Sequence, residues 1–158
     1  MSVHPFTGLK VVDLAEEIAG EYLTRLFAEL GAEVIKAEPP QGAPTRHVGP
    51  WAGGTPGPDN GLTFWTYNTG KRSVVLDLGT DAPARLAPLL ADADVLVVTF
   101  QPARLAALGL DLDQLSQAYP GLIIVSITPY GLTGPWADYH ATNLTLLAGA
   151  GPLHQCGY

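Results

Sequence analysis

Residues 9–38 carry the pattern that most restricts the fold. Leu9-Lys10-Val11-Val12-Asp13-Leu14 reads as a short apolar strand. Residues 21–30 place Leu23, Leu26, Phe27 and Leu30 at helical spacing, and Gly31 stops that helix as a C-cap. Glu33-Val34-Ile35-Lys36-Ala37-Glu38 reads as the next strand, closed by Pro39 and Pro40. Strand, helix and strand in such short succession form a β-α-β unit, which calls for a parallel sheet with a right-handed crossover.

The alternation continues downstream. Residues 73–78, 94–99 and 122–128 read as strands, and residues 82–90, 103–108, 112–119 and 144–150 as helices. Asp81 and Pro83 mark the start of the 82–90 helix. Residues 39–61 form a long loop rich in Gly and Pro, and loops of that length in compact domains are often functional or mobile. The expected fold class is α/β, a doubly wound and mostly parallel sheet whose ligands sit beyond the C-terminal strand ends.

Charge and motif content narrow the function. A net charge of −7 with eight Lys and Arg spread along the chain argues against nucleic-acid binding, which needs a basic stripe. An anionic small molecule needs local positive focusing against that overall field. No apolar run is long enough to cross a bilayer, and residues 1–5 lack the pattern of a signal peptide, so a cytoplasmic protein is expected. Cys156 is the single cysteine, which excludes an internal disulfide and metal sites built on paired thiolates. His4, His47, His140 and His154 show no metal spacing. No G-x-G-x-x-G follows a strand, Arg72 stands where a P-loop needs Ser or Thr, and no G-x-S-x-G occurs. The remaining candidate is the polar turn Asn68-Thr69-Gly70-Lys71-Arg72 running into Ser73-Val74-Val75-Leu76-Asp77, a cationic loop at the mouth of a strand.

That stretch also resembles the signature of the family III CoA-transferases, the group of formyl-CoA transferase and α-methylacyl-CoA racemase. Other segments match in order and spacing: residues 8–14, residues 30–38, Ala93-Asp94-Val95-Leu96 with Phe100-Gln101-Pro102, Leu108-Gly109-Leu110, Pro120-Gly121-Leu122-Ile123, and Tyr130-Gly131-Leu132-Thr133-Gly134-Pro135. The resemblance implies a Rossmann-like large domain, with residues 1–158 as its N-terminal part and the C-terminal half of the family absent. It implies an interlocked homo- or heterodimer with a family III subunit. The expected ligand is coenzyme A or an acyl-CoA, with no covalently bound cofactor, and Lys71, Arg72, Arg46, Leu76 and Phe100 are the residues expected to contact it.

The family's reaction runs through acyl-enzyme intermediates on one aspartate, and here the resemblance places Asn143, preceded by Thr142. A carboxylate can attack a thioester and form a mixed anhydride, whereas an amide carries no full charge and its nitrogen lone pair is delocalised. Racemase members use a His-Asp pair there, and Thr142-Asn143 titrates at neither position. Thr142 and Asn143 also suit a helix N-cap. Asp138 is the nearest carboxylate that could stand in. Relative to the family, Pro39, Thr99 and Ala107 replace polar or basic residues, and each lost Arg removes a charge-assisted partner for phosphate. Glu16, Glu17 and Glu21 add negative charge to a loop that lines the CoA channel in relatives. The expectation is a non-catalytic half or partner subunit. The alternatives are an active transferase or racemase using another residue, and a CoA-binding protein without turnover. A sheet without its C-terminal segments is expected to expose apolar surface.

Overall fold

A computed structural model of the chain describes residues 4–79 and 81–156, so residues 1–3 of the N-terminal segment read above lie outside it. Five strands, β1 (Lys10–Leu14), β2 (Glu33–Glu38), β3 (Arg72–Val75), β4 (Val95–Val98) and β5 (Ile123–Ser126), form one parallel sheet in the order β3-β2-β1-β4-β5. The chain winds outward from β1 to β3, returns to the other side of β1 and winds outward again. This is the doubly wound α/β arrangement that the alternation of strands and helices calls for.

The pleat sorts side chains between two layers. Val12, Leu14, Leu96 and Val98 point to one face, where they pack with Leu86 and Leu90 of α3 (Ala82–Leu90), Leu105 of α4 (Pro102–Ala107) and Leu115 of α5 (Leu112–Ala118). Val11, Val34, Val95 and Val97 point to the other, against Leu23 and Phe27 of α1 (Ile18–Glu29). Phe6 joins this second layer, its ring 5.3 Å from that of Phe27. Gly31 ends α1 at φ +98°, and its amide and that of Ala32 close the helix onto Ala28 and Phe27. Only glycine adopts that conformation without strain.

Helix α1 starts three residues before the expected residue 21, because Glu17 takes the N-cap backbone position and Ile18, Ala19 and Gly20 fill the first turn. Gly20 is needed there for a steric reason. A Cβ on it would sit 2.6 Å from both Ala15 Cβ and Thr99 Cγ2, so α1 could not approach the ends of β1 and β4 as closely. Strands β3 and β5 are shorter than expected, although Leu76 and Ile127 each donate one further backbone hydrogen bond, to Glu38 and Val98. The long loop carries short 3-10 turns at Pro44–His47 and Ala52–Gly54.

Helix α2 (Leu62–Asn68) was not legible in its sequence, which is aromatic and β-branched and lacks a side-chain cap. It forms because α1 receives it: Tyr67 meets Tyr22 edge-on at 6.2 Å, and Arg25 Nη1 donates to the Thr66 carbonyl at 2.7 Å. Beyond β5, α6 (Asn143–Gly149) and α7 (Pro152–Gln155) complete the described chain. Among the described residues no helix is long and apolar enough to cross a membrane. Apolar side chains remain in solvent at the sheet edges and past β5, with Val75 67%, Ile123 62% and Leu144 66% exposed.

Candidate active site

The winding direction reverses between β1 and β4, and a crevice of about 110 Å³ opens beyond the C-terminal ends of the strands. Leu14 and Glu16 enter it from the end of β1, Ala37 and Pro39 from β2, Leu76 and Asp77 from β3, and Phe100 and Arg104 from β4 and α4. Two of the expected ligand-contacting residues, Leu76 and Phe100, therefore do line one opening. Its volume is well below the few hundred Å³ typical of a site that encloses a whole small molecule. Of the three acids expected beside the ligand, Glu16 lines the wall together with Asp77, while Glu17 and Glu21 do not.

Glu21 instead joins a buried ionic network behind the crevice, with Asp13, Lys36 and Lys71. Lys36 Nζ donates to Glu21 Oε1 at 2.9 Å and to the Ala15 carbonyl at 2.8 Å. Asp13 Oδ2 accepts from Thr24 Oγ1 at 2.7 Å and from Lys71 Nζ at 2.9 Å, and its Oδ1 accepts from the Ala15 amide at 2.8 Å. Lys71 Nζ also donates to the Glu21 carbonyl and to Asn68 Oδ1, both at 2.8 Å. Thr45 Oγ1 donates to Glu21 Oε1 at 2.9 Å, which ties the 39–61 loop to the same cluster.

Lys71 thus lies inward, its side chain 2% exposed, with each of its three protons directed at an acceptor. Burial pushes its pKa below the ordinary lysine value, against the pull of Asp13. The two other expected cations are also paired. Arg46 forks onto Glu38 through Nε at 2.6 Å and Nη2 at 2.8 Å, and lies over the Phe64 ring at 3.7 Å. Arg72 is exposed and meets Glu33 at 2.7 Å. Lys71 and Arg46 anchor the loop and the start of β3 on buried carboxylates, Arg72 makes a surface pair only, and none of the three lines the crevice. Arg104, which does, was missed in the sequence. The available signal was its position two residues after Pro102, in the first turn of the helix that follows β4.

The Thr142-Asn143 pair opens α6. Thr142 is the N-cap, its Oγ1 accepting from the Thr145 amide at 3.3 Å while Thr145 Oγ1 accepts from the Thr142 amide at 2.8 Å. This reciprocal capping box fixes the helix start. Asn143 occupies the first helical position and is exposed. Asp138 Oδ1 accepts from the Ala103 amide at 3.2 Å, which engages it with the start of α4. Among the described residues no group of three or more His, Cys, Asp and Glu side chains could hold a metal ion.

Comparison with known proteins gives consistent matches. Residues 6–158 fit the model of CoA-transferase family III. The chain is 40% identical to subunit BbsE of succinyl-CoA:(R)-benzylsuccinate CoA-transferase from Thauera aromatica, over 96% of this chain and 37% of that protein. It is 36% identical to acetyl-CoA:oxalate CoA-transferase from Acetobacter aceti, over 98% of this chain and 39% of that protein. The crystal structure of Rv3272 from M. tuberculosis superposes with a TM-score of 0.81 at 34% identity, covering 96% of this chain and 42% of that one. The chain therefore spans about two fifths of the length of the relatives it matches.

Proposed function

This chain belongs to CoA-transferase family III, and from that premise we propose that it serves as a half or partner subunit of a CoA-transferase. In this reading it contributes the strand-edge crevice to coenzyme A or acyl-CoA binding, while a second family III polypeptide supplies the attacking carboxylate. Residues 1–158 act as the N-terminal part of the large domain, and the two polypeptides form a dimer.

The observation that carries the reading is Asn143, exposed at the first position of α6, the position that the resemblance matches to the family's nucleophile. In the family reaction a carboxylate oxygen attacks the thioester carbonyl, the C–S bond breaks, CoA leaves as the thiolate and an acyl anhydride remains on the enzyme. The Asn143 amide cannot form that anhydride. Asp138 is engaged with the α4 backbone, which disfavours it as a substitute. That one relative is named as a subunit supports a division of labour between two polypeptides.

The test is acyl trapping with hydroxylamine. The chain alone, incubated with succinyl-CoA, is expected to give no hydroxamate and no transfer to a carboxylate acceptor. Co-purified with a family III subunit that has aspartate at the matching position, it is expected to give both. Transfer by the purified chain alone would overturn the proposal.

A further inference from the structure

Most of the crevice wall comes from strand ends or the residues just beyond them, such as Leu14, Leu76 and Phe100. Pro39, Pro40 and Gln41 differ, because they open the long 39–61 loop. Three contacts make this turn one body with the residues that follow it. The Gly42 amide donates to the Pro39 carbonyl at 2.8 Å, and His47 Nε2 donates to the Gln41 carbonyl at 3.0 Å. A Cβ on Gly42 would sit 2.8 Å from Arg46 Cδ, so the stem of Arg46 lies against the turn.

This unit, residues 39–47, is fastened to the sheet through Glu38, the last residue of β2. The Arg46 guanidinium forks onto that carboxylate, and the Ala43 amide donates to it at 2.9 Å. Glu38 itself stays with the sheet, where Ser73 Oγ of β3 also donates to it. The other fastenings are weaker. Thr45 Oγ1 donates one bond to Glu21, and Arg46 Nη1 reaches the Pro58 carbonyl and the exposed Asp59, both at 3.2 Å. Two parallel charge-assisted bonds outweigh these. At about 110 Å³ the crevice is too small to enclose a whole small molecule, so a ligand of that size needs a wall that gives.

We propose that residues 39–47 are a gate on the crevice, latched shut by the Arg46 fork on Glu38. Release of the fork lets the unit swing about the end of β2, which moves Pro39, Pro40 and Gln41 outward and widens the crevice. The gate goes beyond the CoA reading and holds whatever ligand the crevice takes.

Two measurements on the whole chain test it. Hydrogen exchange at the Ala43 amide, whose acceptor lies across the latch, reports opening. Iodoacetamide labelling of Leu76→Cys in a Cys156→Ser background reports access to the crevice. Arg46→Lys keeps the charge but not the fork, and should speed both readings roughly ten-fold to a hundred-fold, the size of one lost charge-assisted bond. Amides of Val12 in β1 and Leu96 in β4 should keep their wild-type protection. Glu38→Gln combined with Arg46→Gln leaves no buried charge unpaired and should act in the same way. Wild-type exchange at Ala43 in both would mean that the fork is no latch. Faster exchange at Ala43 with unchanged labelling at residue 76 would mean a latch without a gate. Acceleration that spreads to Val12 and Leu96 would mean that the fork stabilises the fold as a whole. Each of these three outcomes overturns the proposal, and none bears on the CoA reading, because neither measurement uses a ligand.

Discussion

Lowering the pH should loosen the strand edge through Glu38. Its side chain is nearly buried and accepts from Arg46 Nε at 2.6 Å, Arg46 Nη2 at 2.8 Å, Ser73 Oγ at 2.5 Å and the Ala43 amide at 2.9 Å. Burial works to raise the pKa of this carboxyl, and those four donors overcome it, carrying the value from 4.5 to about 2. Such a difference between unfolded and folded states corresponds to about 3 kcal/mol of stability at neutral pH. Because the folded value is the lower one, the contribution is complete above the unfolded value of 4.5 and is lost as pH falls toward 2. More than half is gone by about pH 3. Urea unfolding of the wild type and Glu38→Gln at a series of pH values isolates it from other carboxylates. The stability gap between the two proteins should be widest near neutrality and close by about 2 kcal/mol on acidification to about pH 3. A gap that stays constant over that range would refute the argument that ionised Glu38 anchors the loop through Arg46.

Two further outcomes test the interior and the proposed role of residue 143. Lys71→Met removes a counter-charge from a fully buried Asp13, so urea denaturation should show a loss of about 3–5 kcal/mol. A loss below about 1 kcal/mol would mean that Lys36, 3.8 Å from Asp13, already neutralises that carboxylate. Asn143→Asp places a carboxylate at the first position of α6, where the helix dipole also favours it. In complex with a family III subunit whose own aspartate has been changed to asparagine, this variant should recover hydroxamate formation with succinyl-CoA. Failure to do so in a folded complex would count against Asn143 as the nucleophile position.

How far the sequence could be read follows from the range of the interactions involved. The strands were legible because runs such as Val95 to Val98 are apolar and bounded by polar or helix-starting residues, and Gly31 marked a turn by its own chemistry. These are local signals. Helix α2 was not legible, because what makes Leu62–Asn68 helical is α1, packed against it through Tyr22 and Arg25. The candidate site divided in the same way. Leu76 and Phe100 lay where strand ends placed them. The fate of each cation depended on a distant carboxylate, Asp13 for Lys71 and Glu33 for Arg72, which no local pattern announces. Glu21 illustrates the converse. Read alone it resembled a solvated or ligand-repelling acid, but Lys36 from β2 and Thr45 from the loop draw it into the interior.

The pairing of the cations bears on what the proposed second subunit would have to bring. Coenzyme A carries several phosphate charges, and the crevice offers one guanidinium beside Glu16 and Asp77. Attraction between exposed charges is screened by salt and scales with the number of groups engaged. CoA binding to this chain alone should therefore weaken only shallowly as ionic strength rises. If the second subunit contributes the nucleophile without further cations, the complex should show the same shallow dependence. If it completes the phosphate contacts as well, the complex should bind CoA more tightly at low salt and lose that advantage steeply as salt is added. Titrating CoA into the chain and into the complex across a salt series separates these cases. A steep dependence for the chain alone would mean that cations beyond the one lining the crevice engage the ligand, against the pairing of Lys71 and Arg46 with buried carboxylates.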